Sequence, residues 1–451
     1  MEINQSIFKS YDIRGIYPGE LNEQTVYQIG KGFVKYTGAN SSASLRARKV
    51  VVGYDARLSS PILFDILVGG IISQGANVYD IGLVPTECLY FAVAHYDFDS
   101  GIMITASHNP KEYNGFKMVK KDGDQIEMVR GKDLFSVIKK GDFKEGARGL
   151  VYQKDILKEY IDYIFSLSMS TIKPLRVVVD ASNGVIGKVI SAIKEKVPLE
   201  IIDLNFNPDG NFPNHSPNPL LPGSVDQITK EIKKQKADFG FIFDGDADRV
   251  FLVDEKGQLV SADITLLFLA KYFLSKNSGA GIAYNAICSK AVPEFVKKWG
   301  GVPIRTQVGF VNVRDGLVKN NGVMGGELSG HYCFRDYFYM DSGMLAFLTL
   351  LQFLSEDTRK VSEIVEELSC YFKSAELNFE IENKEEVLEK VKEKYTDGKQ
   401  DFLDGITVEY KDWWFNVRPS NTEPLLRLTI EADTKMLLEQ KKKELSDFIL
   451  N

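Results

Sequence analysis

Short apolar runs alternate with amphipathic stretches along most of the chain. Lys49–Tyr54 (KVVVGY), Gly101–Thr105 (GIMIT), Arg176–Asp180 (RVVVD), Phe239–Phe243 (FGFIF) and Val250–Val253 (VFLV) predict strands. Runs this short, rich in Val and Ile and closed by Gly or Asp, suit buried strands of a mainly parallel sheet. Leu157, Tyr160, Ile161, Ile164 and Phe165 fall on one face of a helix. Ser224 with Gln227 predicts a capping box opening a helix through Ile228 and Ile232. Strand and helix in turn imply an α/β architecture.

The texture breaks in a few places. The polar, Gly-rich stretch 141–149 marks a boundary near residue 150, and Asp254–Gly257 reads as a turn and a second boundary. The stretch 205–223 carries so many Pro and Asn residues that it predicts a long loop without regular structure. After Cys370 a Lys/Glu helix over 383–394 precedes strand-like runs at 406–410, 413–417 and 425–430. A last helix starts near Lys435, so the C-terminus reads as a small α+β unit.

Composition narrows the class. At ~150 residues per domain, 451 residues predict about three domains. A net charge of −7 argues against a nucleic-acid binder, although a local basic pocket for an anionic ligand remains compatible with it. No apolar run approaches the ~20 residues that span a bilayer, so no membrane partner is expected. Cys88, Cys288, Cys333 and Cys370 lie far apart without a CxxC pair. With no basic-then-apolar leader at the start, they predict a reducing, cytoplasmic setting.

Four motifs carry candidate chemistry. Thr105-Ala-Ser-His-Asn-Pro110 follows the strand GIMIT, where loops border the usual α/β ligand crevice. Alone it reads more readily as a turn, and it holds no GxSxG elbow. Asp244-Gly-Asp-Ala-Asp-Arg249 places three carboxylates at alternate positions between two apolar strands. Two like charges ~4 Å apart repel by about 4 kcal/mol at an effective dielectric near 20, so the cluster calls for a hard cation such as Mg²⁺ rather than a solvated turn. An EF-hand competes, with Glu255 at its twelfth position, but Arg249 stands where that loop needs Gly. Gly325-Gly-Glu-Leu-Ser-Gly-His331 offers Glu327, Ser329 and His331 along one side of an extended loop, suited to sugar hydroxyls, or is a Gly-rich turn. Arg418-Pro-Ser-Asn-Thr-Glu-Pro424 pairs a guanidinium fork with neutral donors, suited to phosphate, or is an ordinary hairpin connection.

Taken together and in this order, TASHNP, DGDADR, GELSGH and RPSNTEP resemble the α-D-phosphohexomutase family, and the N-terminal Tyr11-Asp-Ile-Arg-Gly15 fits it too. The resemblance runs from about residue 8 to 432. It implies four domains around a central cleft: three related α/β domains and a C-terminal α+β domain. Their expected spans are 1–149 with the phosphoserine loop, 150–254 with the metal loop, 255–370 with the sugar loop and 371–451 with the phosphate loop. By the same resemblance Ser107 carries the phosphoryl group. Asp244, Asp246 and Asp248 are the Mg²⁺ ligands, with Ser107 supplying a further oxygen through its phosphate. Arg14, His108, Lys117 and Arg249 lie near the transferred phosphate. Glu327, Ser329 and His331 contact the sugar, and Arg418, Ser420, Asn421 and Thr422 hold the phosphate not being transferred.

The reaction so implied exchanges hexose 1-phosphate and hexose 6-phosphate through a 1,6-bisphosphate, which also serves as activator. Small sugar phosphates are the expected partners, and no oligomeric state follows from the motifs. Lys117 is a candidate base only where its neighbours lower its pKa. The pattern departs from the family at two places. Ile287, in Asn285-Ala-Ile-Cys288, stands where many bacterial phosphomannomutases carry Lys, and Arg305-Thr-Gln-Val-Gly-Phe310 replaces their Lys-Thr-Gly-His. Both weaken an assignment to mannose alone, while the Asn of RPSNTEP leans away from phosphoglucosamine mutase. A dual mannose/glucose mutase is the main reading; a phosphoglucosamine mutase and an idle sugar-phosphate binder are the alternatives.

Overall fold

All five apolar runs are strands in a computed structural model of the chain, which describes residues 3–38, 47–123, 125–143, 147–168, 172–420 and 425–450. Their side chains are buried on both faces: Val50, Val51 and Val52 are wholly covered, as are Phe241, Ile242 and Phe243. Covering each such side chain contributes roughly 1.5–3 kcal/mol. The chain folds into two units, one of residues 1–259 and 336–358, the other of residues 260–335 and 359–451. Length alone predicts about three domains, yet the described residues build four sheets, because the last is made from a short stretch.

In the first unit, one sheet runs in the order Ile13–Ile16, Tyr113–Asp122, Ser100–Ile104, Lys49–Tyr54, Asn77–Leu83, Val151–Gln153, with Gln125–Met128 also paired to Tyr113–Asp122. The central pairs are parallel, but Tyr113–Asp122 runs antiparallel to both its neighbours on that path. A second sheet runs Val250–Val253, Phe239–Phe243, Leu175–Asp180, Leu199–Leu204. Here Phe239–Phe243 pairs in parallel with Leu175–Asp180 and forms an antiparallel hairpin with Val250–Val253. The mainly parallel expectation therefore holds at the sheet centres and fails where the motif loops begin.

The helix Leu157–Ser168 buries Tyr160, Ile161 and Ile164, as its apolar stripe predicts. The capping box does not form. The helix through Ile228 starts at Asp226, its N-cap Val225 makes no side-chain bond, and Gln227 instead accepts from Asn205 at 3.0 Å. The Pro- and Asn-rich stretch after Asn205 has no regular structure. It is tied back by His215, whose Nε2 lies 3.1 Å from the buried carboxylate of Asp180.

One buried acid of this unit is unusual. Glu87, in the first turn of the helix Thr86–His95, is fully buried. Its carboxyl meets the start of the helix Gly343–Glu356, accepting from the Ser342 hydroxyl and from the Met344 N–H at 3.2 Å. Burial pushes its pKa up to about 8 despite these donors.

In the second unit, one sheet contains Val302–Thr306, Gly281–Asn285, Met324–Gly326 and Tyr332–Phe334 in that order. The other is antiparallel and runs Phe372–Lys373, Leu425–Ala432, Trp413–Pro419, Ile406–Glu409, Lys399–Asp401. Helices Lys384–Lys394 and Lys435–Leu450 supply Val391, Leu438, Leu445 and Ile449 to its core. No helix among the described residues is long and apolar enough to cross a membrane.

Candidate active site

The hairpin between Phe239–Phe243 and Val250–Val253 closes on the register pair Phe243–Val250, so the six residues 244–249 must turn within a narrow span. They do so with Ala247 at a positive φ of 61°. Gly245 lies so close to the Ser107 loop that a Cβ there would sit 2.7 Å from the Ser107 carbonyl oxygen. Gly343 has the same relation to this turn: its Cβ would meet the Ala247 carbonyl at 2.4 Å. Only glycine permits both approaches.

The three carboxylates converge. Asp244, Asp246 and Asp248 are all buried, and each offers an oxygen within 4.8 Å of the others. Ser107 is fully buried and sits at a φ of 51°. Its hydroxyl donates to Asp244 Oδ2 at 2.7 Å and lies 3.3 Å from His108 Nδ1. Lys117 extends from the strand paired with Ser100–Ile104 and inserts its ammonium between two of the acids. It donates to Asp246 Oδ2 at 2.7 Å and also to Asp248. Arg249 adds a guanidinium whose Nε is 3.5 Å from Asp244 Oδ2 and 3.8 Å from Asp248 Oδ1.

These contacts set the charge states. Burial, then Asp248 and Asp246, push Asp244 up to about 8. Burial and Asp248 also act to raise Asp246, but the Lys117 ammonium and donated hydrogen bonds outweigh them, and its pKa falls below the usual carboxylate range. Burial alone would lower Lys117, yet Asp246 and Asp248 reverse this and hold it charged. The condition for Lys117 to act as a base is thus not met here; it is a fixed cation. Asp246 Oδ1, although buried, has no hydrogen-bond partner among the described residues. A hard cation fits that orphaned oxygen and its two neighbouring carboxylates.

Arg14 lies near the same loop, donating to Asn109 Oδ1 at 2.7 Å and to Asp12 at 2.6 Å. The sequence reading missed Arg57. It is 1% exposed, and its two Nη atoms donate to the carbonyls of Ser107, Asn109, Pro110 and Tyr113 at 2.6–2.9 Å. Its Nε pairs with Asp55 at 3.1 Å, and the ring of Phe212, from the Pro-rich loop, lies 5.3 Å beneath the guanidinium. Asp55 also accepts from Thr105 Oγ1 at 2.8 Å, and Thr105 Oγ1 accepts from the Ser107 N–H at 2.8 Å. The available signal was a charged pair, Asp55-Ala-Arg57, directly after the strand KVVVGY.

In the second unit, Glu327, Ser329 and His331 occupy a closed turn rather than an extended loop. The strands on either side are paired at Gly326–Tyr332, the Glu327 N–H donates to the His331 carbonyl at 3.2 Å, and Gly330 takes a φ of 85°. The turn brings Ser329 onto Glu327 Oε1, while Glu327 Oε2 accepts from the Gly309 N–H at 3.0 Å. His331 stacks on Phe310. Arg418 is the penultimate residue of the strand Trp413–Pro419 and is buried; the Ser420 N–H closes the hairpin by donating to the Leu425 carbonyl at 2.8 Å. Asn421 and Thr422 lie outside the described residues.

Comparison with known proteins agrees with this geometry. Models of the phosphoglucomutase/phosphomannomutase family match end to end: alpha/beta/alpha domain I over residues 5–145, domain II over 158–257, domain III over 261–371 and the C-terminal domain over 376–448. A phosphomannomutase of Vibrio cholerae is 37% identical, with 98% of each chain aligned. Phosphohexose mutases of Xanthomonas campestris are 36% identical over 98% of each chain. The crystal structure of a phosphoglucomutase/phosphomannomutase family protein from Burkholderia thailandensis superposes with a TM-score of 0.90 at 32% identity, covering 99% of this chain and 98% of that one. The chain belongs to the phosphoglucomutase/phosphomannomutase family, the α-D-phosphohexomutases, and is a phosphohexomutase, an isomerase.

Proposed function

We propose that the chain interconverts the 1- and 6-phosphates of mannose and glucose, with Ser107 as the phosphoryl carrier and a hexose 1,6-bisphosphate as intermediate and activator. The observation that carries this is the Ser107 hydroxyl, 2.7 Å from Asp244 within a cluster of three buried acids. A phosphoryl group on that oxygen passes to a sugar hydroxyl: the Oγ–P bond breaks, a sugar O–P bond forms, and the hydroxyl proton leaves to a base. The bisphosphate then returns its other phosphate to Ser107. Such a transfer asks the protein mainly for positioning and for charge to offset the moving group.

Asp244, Asp246 and Asp248 would hold Mg²⁺, which supplies Lewis-acid neutralisation of phosphoryl oxygens when bound. Lys117 and Arg249 add fixed positive charge beside Ser107. His108 faces the Ser107 oxygen, and Arg14 steadies the loop through Asn109. In the second unit, Glu327 and Ser329 are hydrogen-bonded to each other and pre-set to meet sugar hydroxyls, with His331 beside them. Arg418, Ser420, Asn421 and Thr422 form the seat of the resting phosphate.

Ile287 is buried, and Arg305 is held by Asp401 at 2.9 Å and Thr407 at 3.1 Å. Neither offers the lysine ammonium that many bacterial phosphomannomutases carry, which argues against a preference for mannose alone. The domain spans proposed are 1–149, 150–254, 255–370 and 371–451. A cytoplasmic setting is supported by four free cysteines, three of them buried. Assaying mannose, glucose and glucosamine 1-phosphates in parallel, with Mg²⁺ and a bisphosphate primer, tests the reading. Isomerisation of the first two, faster than the third, is expected. Release of inorganic phosphate without isomerisation would overturn it.

A further inference from the structure

Asp246 is held through one of its two oxygens. Oδ2 accepts from the Thr86 hydroxyl at 2.6 Å, the Lys117 ammonium at 2.7 Å and the Thr105 hydroxyl at 3.1 Å. Oδ1 is buried and has no hydrogen-bond partner among the described residues. The three donors are not equivalent. Lys117 also serves Asp248, and the single Thr105 proton lies closer to Asp55, at 2.8 Å. The Thr86 hydroxyl donates to Asp246 alone among the described residues.

Thr86 reaches Asp246 because of where its helix starts. It is the first residue of Thr86–His95, directly after Pro85, and it is wholly buried. The first N–H groups of a helix have no acceptor within it. The Thr86 N–H donates instead to the Asp246 carbonyl at 3.0 Å. One residue thus grips both the main chain and the carboxylate of the other. Its neighbour Glu87 secures the far side of the same turn, since it binds Ser342 and the Met344 N–H, and Gly343 between them packs on the Ala247 carbonyl.

A carboxylate free to rotate about its last bond offers a cation either oxygen or both. Pinning Oδ2 leaves Oδ1 as the one ligand atom and removes that freedom before a cation arrives. Outer partners of this kind orient metal ligands, and losing one typically weakens metal binding by roughly 10–100-fold.

We infer that Thr86 is a positioning residue for the cation: its hydroxyl and its N–H together fix Asp246 so that Oδ1 alone faces the metal. This rests on the reading of Asp244, Asp246 and Asp248 as the ligand set. Thr86 touches neither sugar nor phosphate in this role, and it acts only through Asp246.

Mg²⁺ titration of the melting temperature, on the full chain without substrate, tests this with Thr86→Val, Thr86→Ser and Asp246→Asn. Valine keeps the shape and the N–H but has no hydroxyl, whereas serine restores the donor. Thr86→Val should raise the apparent Kd for Mg²⁺ by tenfold or more, and Thr86→Ser should stay within threefold of wild type. The Mg²⁺ concentration giving half-maximal turnover should move by the same factors. Circular dichroism confirms that the variants fold, and Thr86→Ala takes the place of valine if that variant does not. If the wild type responds to Mg²⁺ and Asp246→Asn does not, but Thr86→Val binds as tightly as wild type or Thr86→Ser is weakened as much as Thr86→Val, the inference is wrong and the ligand set stands. If Mg²⁺ shifts neither wild type nor Asp246→Asn, or both equally, the ligand set itself is misassigned and the inference falls with it.

Discussion

Arg57 donates to the carbonyl oxygen of Ser107 at 2.8 Å from a position that solvent does not reach. Three further carbonyls and one carboxylate take its remaining N–H groups. One planar cation thereby fixes the direction of four backbone groups around the proposed nucleophile.

Replacing that fork with a flexible ammonium should cost rate more than binding. Arg57→Lys keeps the charge but cannot serve five acceptors, so kcat should drop by tenfold or more with little change in KM. Arg57→Ala leaves the buried Asp55 uncompensated and should cost about 3–5 kcal/mol of stability. Kinetics and denaturant titration read the two effects. Wild-type turnover in Arg57→Lys would show that the loop holds its shape without the fork.

Ser107→Ala should abolish turnover while the thermal transition stays close to wild type. Incubated with glucose 1,6-bisphosphate, the wild-type chain should gain one phosphate by intact-mass measurement and the variant none. A phosphate still acquired by the variant would point to another carrier.

Mg²⁺ should raise the melting temperature of the wild-type protein, by an amount equivalent to about 2.7 kcal/mol at a hundredfold excess over Kd. Asp246→Asn should lose both this rise and the activity, and chelation should silence the wild type reversibly. An equal Mg²⁺-induced rise in the variant would remove Asp246 from the ligand set.

Glu87 predicts a stability slope with pH. Its folded pKa of about 8 lies above the ordinary value of 4.5, so the folded protein retains a proton that the unfolded chain releases. The stabilising contribution is full below pH ~4.5 and is lost as pH rises to about 8, on the order of 4 kcal/mol in all. Glu87→Gln keeps acceptor and shape but has nothing to titrate. It should match wild type near pH 4.5 and be the more stable protein at pH 8, as read by urea titration. Parallel stability curves would exclude Glu87 as the source.

Much of this was written plainly in the chain. KVVVGY and FGFIF declare themselves because strands covered on both faces need uninterrupted apolar residues. Asp244, Asp246 and Asp248 are legible because alternate carboxylates between such strands have few idle explanations. Arg57 was hidden for a physical reason: its acceptors are backbone carbonyls some fifty positions away, and a carbonyl leaves no mark in the residue type. The closed turn at Glu327 was hidden likewise, since it depends on main-chain bonds and on Gly330 at positive φ. The pair Ser224 and Gln227 misled because the spacing of a cap is common, while helix entry was decided by the turn-rich stretch ahead of it.

The left-handed backbone at Ser107 limits which amino acid can stand there. A second substituent on Cβ would crowd the neighbouring peptide at that φ, so threonine, though it carries an equivalent alcohol, is a poor exchange. The choice of serine for the proposed phosphate carrier is in this sense a matter of chain geometry before it is one of reactivity.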